Sequence, residues 1–145
     1  MCLLKGGSNH FGQKWGAFWV YWFPVVAYIG LIFFLSSQSH LPISPPNIPY
    51  GDKVCHGIEF AILGYLLRRA LRQGSRISQN TSLVLAILIA LLFGLSDEIH
   101  QSFVPFRQSD IFDLLADGLG AAVGAWGGFW IKNWFIARRE GKDCT

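Results

Sequence analysis

Apolar positions along this chain come in long blocks, not in the short alternations of a soluble domain. The first block, WGAFWVYWFPVVAYIGLIFFL (15–35), contains no charged residue. A bilayer-spanning helix needs about 20 predominantly apolar residues, so a span over 15–36 is predicted. Pro24 lies inside it, and transmembrane helices tolerate proline. The block is longer than a signal-peptide core and runs into SSQSHLPISPP, so it reads as an anchor that stays. Three further blocks follow, at 54–71, 82–103 and 111–134. The second carries His56 and Glu59 near one end, the third is apolar until Asp97, and the fourth starts acidic and turns rich in Gly and Trp. The pattern predicts an all-α membrane protein, a four-helix transmembrane bundle forming one domain over 1–145.

Composition supports this reading: 52% of the 145 residues are apolar and only 14% are charged. Charge placement then predicts orientation, because basic residues collect on the cytoplasmic side. Lys5 and Lys14 precede the first span, and Arg68, Arg69, Arg72 and Arg76 close the second. Lys132, Arg138, Arg139 and Lys142 lie at or beyond the end of the fourth. With four spans these fall on one side, leaving Lys53 and Arg107 on the other. Both termini are therefore predicted cytoplasmic, with the 36–53 and 96–110 loops outward. Asp52, Glu59, Asp97, Glu98, Asp110, Asp113 and Asp117 sort to the outer side, and Glu140 and Asp143 to the inner. The basic clusters are short and juxtamembrane, where anionic headgroups account for them; no nucleic-acid partner is expected. Cys2, Cys55 and Cys144 show no CxxC spacing, so neither a disulfide framework nor a zinc site is expected.

Helical periodicity gathers the polar residues onto faces, since residues three, four and seven apart are neighbours. Asp52, His56 and Glu59 share a face of the second helix, and Asp97, His100 and Gln101 one of the third. On the fourth, Asp110, Asp113 and Asp117 continue into Gly120, Gly124 and Gly128. Small residues at this spacing let helix backbones approach closely in lipid. That face is expected to be buried against another helix, and it also offers a surface for a homo-oligomer. A carboxylate at the bilayer centre costs about 2.5–3.5 kcal/mol, so these acids need partners. Candidate ligand-binding residues are Asp52, Lys53, His56, Glu59, Asp97, Glu98, Gln101, Arg107, Asp113 and Asp117. Candidate acid/base groups are His56, Glu59, Asp97 and Asp113, and the Arg107 fork suits a carboxylate or phosphate. Blander readings stand beside these. Asp52 and Asp110 suit helix N-caps, Glu98 and His100 suit the headgroup zone, and His56 with Glu59 suits helix-to-helix glue. His56, Glu59, Asp97 and Asp113 offer nitrogen and oxygen ligands but no HExxH or comparable spacing, so no metal or cofactor is expected.

Two segments together resemble the VanZ-like family. DKVCHGIEFAILGYLL (52–67) is similar to its D-K-x-x-H-x-x-E-[YF]-x-x-L motif. DEIHQSFVPFRQSDIFDLLADGLGAAVG (97–124) is similar to its D-E-x-x-Q-x-F-x-P-x-R-x-x-D-x-x-D segment and the Gly-rich helix after it. LSSQS after the first span fits as well, and Asp117 departs from the pattern, where the family often has Asn. The resemblance implies a small four-helix integral membrane protein, mostly bacterial, whose namesake is linked to teicoplanin resistance. It implies location rather than chemistry.

Three functions are compatible with these residues. One is a protein of the bacterial cytoplasmic membrane that binds an anionic lipid-linked, cell-wall or glycopeptide-type ligand in an outward-facing polar pocket. Another is a membrane enzyme acting on a lipid or cell-wall intermediate by acid/base chemistry. The third is a transporter or proton relay. The expected partner is a membrane lipid or lipid-linked envelope ligand.

Overall fold

The computed structural model describes residues 10–38, 51–105 and 110–140. The described residues are all-α, with no strand among them. The elements are α1 (His10–Ser36), α2 (Gly51–Arg69), α3 (Gln79–Gln101) and α4 (Ile111–Glu140). A π-helical turn, Ala70–Gly74, continues α2.

Each helix end has a local cause. α1 runs through Pro24 without interruption. α2 ends as Ser75 N–H reaches back to the carbonyl of Ala70 (3.0 Å) and Ile77 N–H to that of Leu71 (2.9 Å). Arg76 then takes a left-handed conformation, φ 55°, which turns the chain toward α3. Ser78 caps α3, its hydroxyl accepting from Thr81 N–H at 3.3 Å. Asp110 caps α4 through Oδ1, which accepts from Phe112 N–H at 3.0 Å.

α2 packs on α4 through small residues. A Cβ at Gly120 would fall onto the backbone of Gly57, one at Gly124 onto that of Ala61, and one at Gly64 onto that of Ala121. Gly128 faces the ring of Tyr65. The small-residue face predicted on the fourth helix is thus filled by α2 of the same chain. Around the seam lies a core of Phe60, Leu63 and Leu67 from α2, Ala86 and Ala90 from α3, and Ala121 and Ala125 from α4. Val25 and Ile32 of α1 complete it.

Large apolar side chains point outward on every helix: Phe23, Phe34, Ile58, Leu92, Leu119 and Val123 are all more than half exposed. A soluble monomer rarely shows so much contiguous apolar surface. Among the described residues, two helical stretches are long and apolar enough to cross a membrane, Phe18–Ser36 within α1 and Gln79–Gln101. α2 and α4 carry charged residues along their length and fall below α1 and α3 in hydropathy, the acids of α3 being Asp97 and Glu98 near its end.

The connectivity places four helix ends together. The C-terminal end of α1, the N-terminal end of α2, the C-terminal end of α3 and the N-terminal end of α4 meet at one end of the bundle. The arginines of α2 lie toward the other. There Arg68 donates to the carbonyl of Ala125, and Arg69 lies over the Tyr21 ring at 5.1 Å.

Candidate functional site

The shared end holds a polar cluster buried between helices. Lys53, on the first turn of α2, reaches across to α4. Its ammonium donates to Asp110 Oδ2 at 2.8 Å and to Asp113 Oδ1 at 2.9 Å. One helical turn further in, His56 Nδ1 lies 3.1 Å from Asp117 Oδ1. The i, i+3 spacing on α2 therefore meets the i, i+4 spacing on α4, and two basic groups oppose three acids, Asp110, Asp113 and Asp117, across the glycine seam.

α3 supplies the third wall. Asp97 Oδ2 accepts from the Ser36 hydroxyl of α1 and from Gln101 Nε2, both at 2.8 Å. Glu98 Oε2 accepts the backbone N–H of Asp110 at 3.0 Å, which ties the end of α3 to the start of α4. Asp117 Oδ2 presses against Gly94, where a Cβ would stand 2.8 Å from it. At the rim, Ser37 Oγ lies 3.0 Å from His100 Nε2, and Phe33 stacks on the same imidazole.

Burial separates rim from interior. Asp97 and Asp117 are 1% and 0% exposed, and Glu98, Asp113, His56 and Gln101 are all buried. Asp110 is at the rim, its side chain 38% exposed. The hydrogen bond from Lys53 holds its carboxyl below the usual carboxylate range. Inside, among the described residues, three carboxylate oxygens accept no hydrogen bond: Asp97 Oδ1, Glu98 Oε1 and Asp117 Oδ2. Buried polar groups are normally satisfied, and an orphaned one calls for an explanation. His56, Glu98 and Asp117 also bring an imidazole nitrogen and two carboxylate oxygens within 4.8 Å of one another.

Most of the residues singled out from the sequence converge here: Lys53, His56, Asp97, Glu98, Gln101, Asp113 and Asp117. Glu59 is half-buried on the same helix, and its backbone carbonyl accepts from Tyr28 of α1 at 3.3 Å. Arg107 and the side chain of Asp52 lie outside the described residues. Asp110 fills both roles weighed for it, capping α4 with one oxygen and holding Lys53 with the other. Glu98 is a buried member of the cluster rather than a solvated interfacial charge. The metal-type donors that converge differ from the sequence set, because Glu98 and Asp117 accompany His56 in place of Glu59, Asp97 and Asp113. Sequence reading passed over Ser36 as a site residue. Its signal was a pair of serines closing an otherwise apolar span.

Four helices gathered around a buried acidic cluster, clothed in apolar side chains, define a small helical membrane protein. Residues 10–132 match the VanZ/LLP1 family, and the chain belongs to it. It is also similar to an uncharacterized protein of the fission yeast Schizosaccharomyces pombe. The two share 33% identity over 94 residues, 63% of this chain and 56% of the relative. The chain thus matches little more than half the length of that relative. No solved structure matches the chain.

Proposed function

We infer that this chain spans the cytoplasmic membrane of a bacterium four times, both termini inside, and that its buried acidic cluster binds a polar envelope ligand from the outer face. The four-span reading is supported by lipid-facing apolar residues on α2 and α4 as well as on α1 and α3. α2 alone has 19 residues, about 28 Å of helix, close to the hydrocarbon thickness of about 30 Å. Outward placement of the cluster follows from the arginines at the opposite end.

One observation carries the binding role: three buried carboxylate oxygens stand without hydrogen bonds. Structural glue would satisfy them. Their chemistry asks for donors, such as the hydroxyls and amines of a sugar, peptide or lipid headgroup. The described bases at this end, Lys53 and His56, already face carboxylates. An anionic part of the ligand would therefore fall to Arg107. The headgroup of a lipid-linked or cell-wall intermediate, or a glycopeptide, offers both kinds of group. A link to antibiotic resistance would run through that binding.

The test is lipid and headgroup analysis by mass spectrometry after gentle extraction, on wild type and on Asp97→Asn, Asp113→Asn and Arg107→Lys. A headgroup species enriched over the bulk membrane and depleted in the variants supports the reading. Wild-type enrichment equal to bulk lipid, with all three variants fully functional in cells, rejects it. Labelling of Cys55 from outside, with Cys2 and Cys144 protected, checks the topology.

The His56–Asp117 contact favours a second reading, acid/base catalysis on the bound ligand. A carboxylate that orients an imidazole is the arrangement of a general base. In that case Asp117→Asn abolishes turnover while ligand capture persists.

A further inference from the structure

We propose that His56, Glu98 and Asp117 bind a divalent first-row transition cation, zinc in preference to manganese, at the acidic end of the bundle. This deepens the binding-site reading above and rests on the same cluster.

Convergence comes first. The donor atoms come from three different helices, α2, α3 and α4, and lie within 4.8 Å of one another. Zinc takes nitrogen and oxygen ligands at about 2.0–2.2 Å, so a modest closing of the three side chains brings them onto one ion. Three protein ligands leave a position for water or for a ligand atom.

Unused valence comes second. Glu98 Oε1 and Asp117 Oδ2 are buried and accept no hydrogen bond. The other oxygen of each carboxylate is already fixed, on Asp110 N–H and on His56. The Asp110 N–H is an outer contact of the kind that orients a ligand of a metal site. Gly94 contributes by absence, since a side chain there would displace Asp117 Oδ2.

Charge comes third. Asp97, Glu98, Asp113 and Asp117 are all buried. Among the described residues at this end they face two bases, Lys53 and His56. The buried carboxyls outnumber these bases two to one. A divalent cation offsets that surplus where hydrogen bonds do not. The imidazole ligand selects zinc over magnesium or calcium, which prefer all-oxygen sites, and the divalent series places zinc above manganese.

The experiment uses the full chain in nanodiscs, stripped with chelator and re-equilibrated with zinc, manganese or cobalt. Metal content is read by inductively coupled plasma mass spectrometry. One zinc per chain is expected, with manganese weaker and about a 100-fold excess of magnesium or calcium unable to displace it. His56→Gln, Glu98→Ala and Asp117→Asn should each lower zinc affinity by at least about 10–100-fold. Stripped wild type that takes up no zinc, or folded variants that bind as wild type does, overturn the proposal. Should a variant fail to fold, cobalt in wild type decides. Intense visible bands of a four- or five-coordinate ion support the site, and the pale spectrum of hydrated cobalt rejects it. Wild type that captures a headgroup but no zinc rejects the cation and keeps the binding reading. Zinc binding without headgroup capture does the reverse.

Discussion

Lys53 is the group whose removal should disturb the cluster most clearly. Its ammonium sits between Asp110 and Asp113 at 2.8 and 2.9 Å. Lys53→Met keeps most of the stem's packing and deletes only the charge. Stripping one partner from a fully buried ion pair costs about 3–5 kcal/mol, whereas an exposed pair contributes about 0–1 kcal/mol. Lys53 retains 23% side-chain exposure and Asp113 8%, so this pair falls between the limits, at about 2–3 kcal/mol. The reverse change is milder. Asp113→Asn leaves Lys53 on Asp110 and removes one acid from a crowded interior, costing about 1 kcal/mol or less. In Lys53→Met/Asp113→Asn the stranded charge is gone. The double variant should therefore recover about 1–2 kcal/mol relative to the sum of the single changes. Equilibrium unfolding in mixed micelles of rising SDS fraction, followed by circular dichroism, measures all three. Single variants within about 0.5 kcal/mol of wild type with additive effects would refute the placement of Lys53 between these acids.

Gly124→Leu and Gly120→Leu should cost about 3 kcal/mol or prevent accumulation, because a Cβ alone already meets the backbone of α2. Gly30→Ala, with open space at its Cβ, should gain about 0.5–1 kcal/mol; the same unfolding assay reads both. Ser36→Ala should cost about 1–2 kcal/mol, since the buried Asp97 loses one of its two donors. The folded-state pKa of Asp110 is lowered by Lys53 from the ordinary 3.8. Its contribution to stability is therefore present above the ordinary value and lost as pH falls through the lower folded value. Unfolding profiles taken below about pH 4 should show wild type losing more stability than Asp110→Asn, and superimposable profiles would remove the Lys53–Asp110 bond from the account.

The helices were legible because lipid imposes a coarse rule that apolar blocks reveal directly. α1 obeys it from residue 15 onward, and α3 obeys it as far as Asp97. α2 and α4 carry charge along their length, and periodicity rather than hydropathy identified their buried faces. The spacing Asp113, Asp117, Gly120 and Gly124 placed acids and glycines on one face, and that face is the one against α2. Which acid meets which base was not legible. Glu98 is adjacent to Asp97 in sequence, yet they turn to different partners, Asp110 N–H on α4 and Ser36 on α1. That division depends on how α3 is rotated between its neighbours, which no local pattern records. The partner helix of the glycine face was equally open, because small residues serve a second copy of the chain as well as α2.

The glycine seam and the acidic cluster are one construction. Side chains of ordinary size hold packed helices about 8–10 Å apart, and an imidazole and a short aspartate spanning that gap would meet only at full reach. At Gly57 and Gly120 the backbones themselves touch. His56 immediately precedes Gly57 in α2, and Asp117 lies one turn before Gly120 in α4. The close approach therefore brings imidazole and carboxylate to 3.1 Å without extending either. A glycine-to-alanine change at Gly120 should thus widen the seam and loosen the His56–Asp117 contact before it unfolds the bundle. Packing in this protein sets the chemistry at its acidic end, and the seam is the place where one becomes the other.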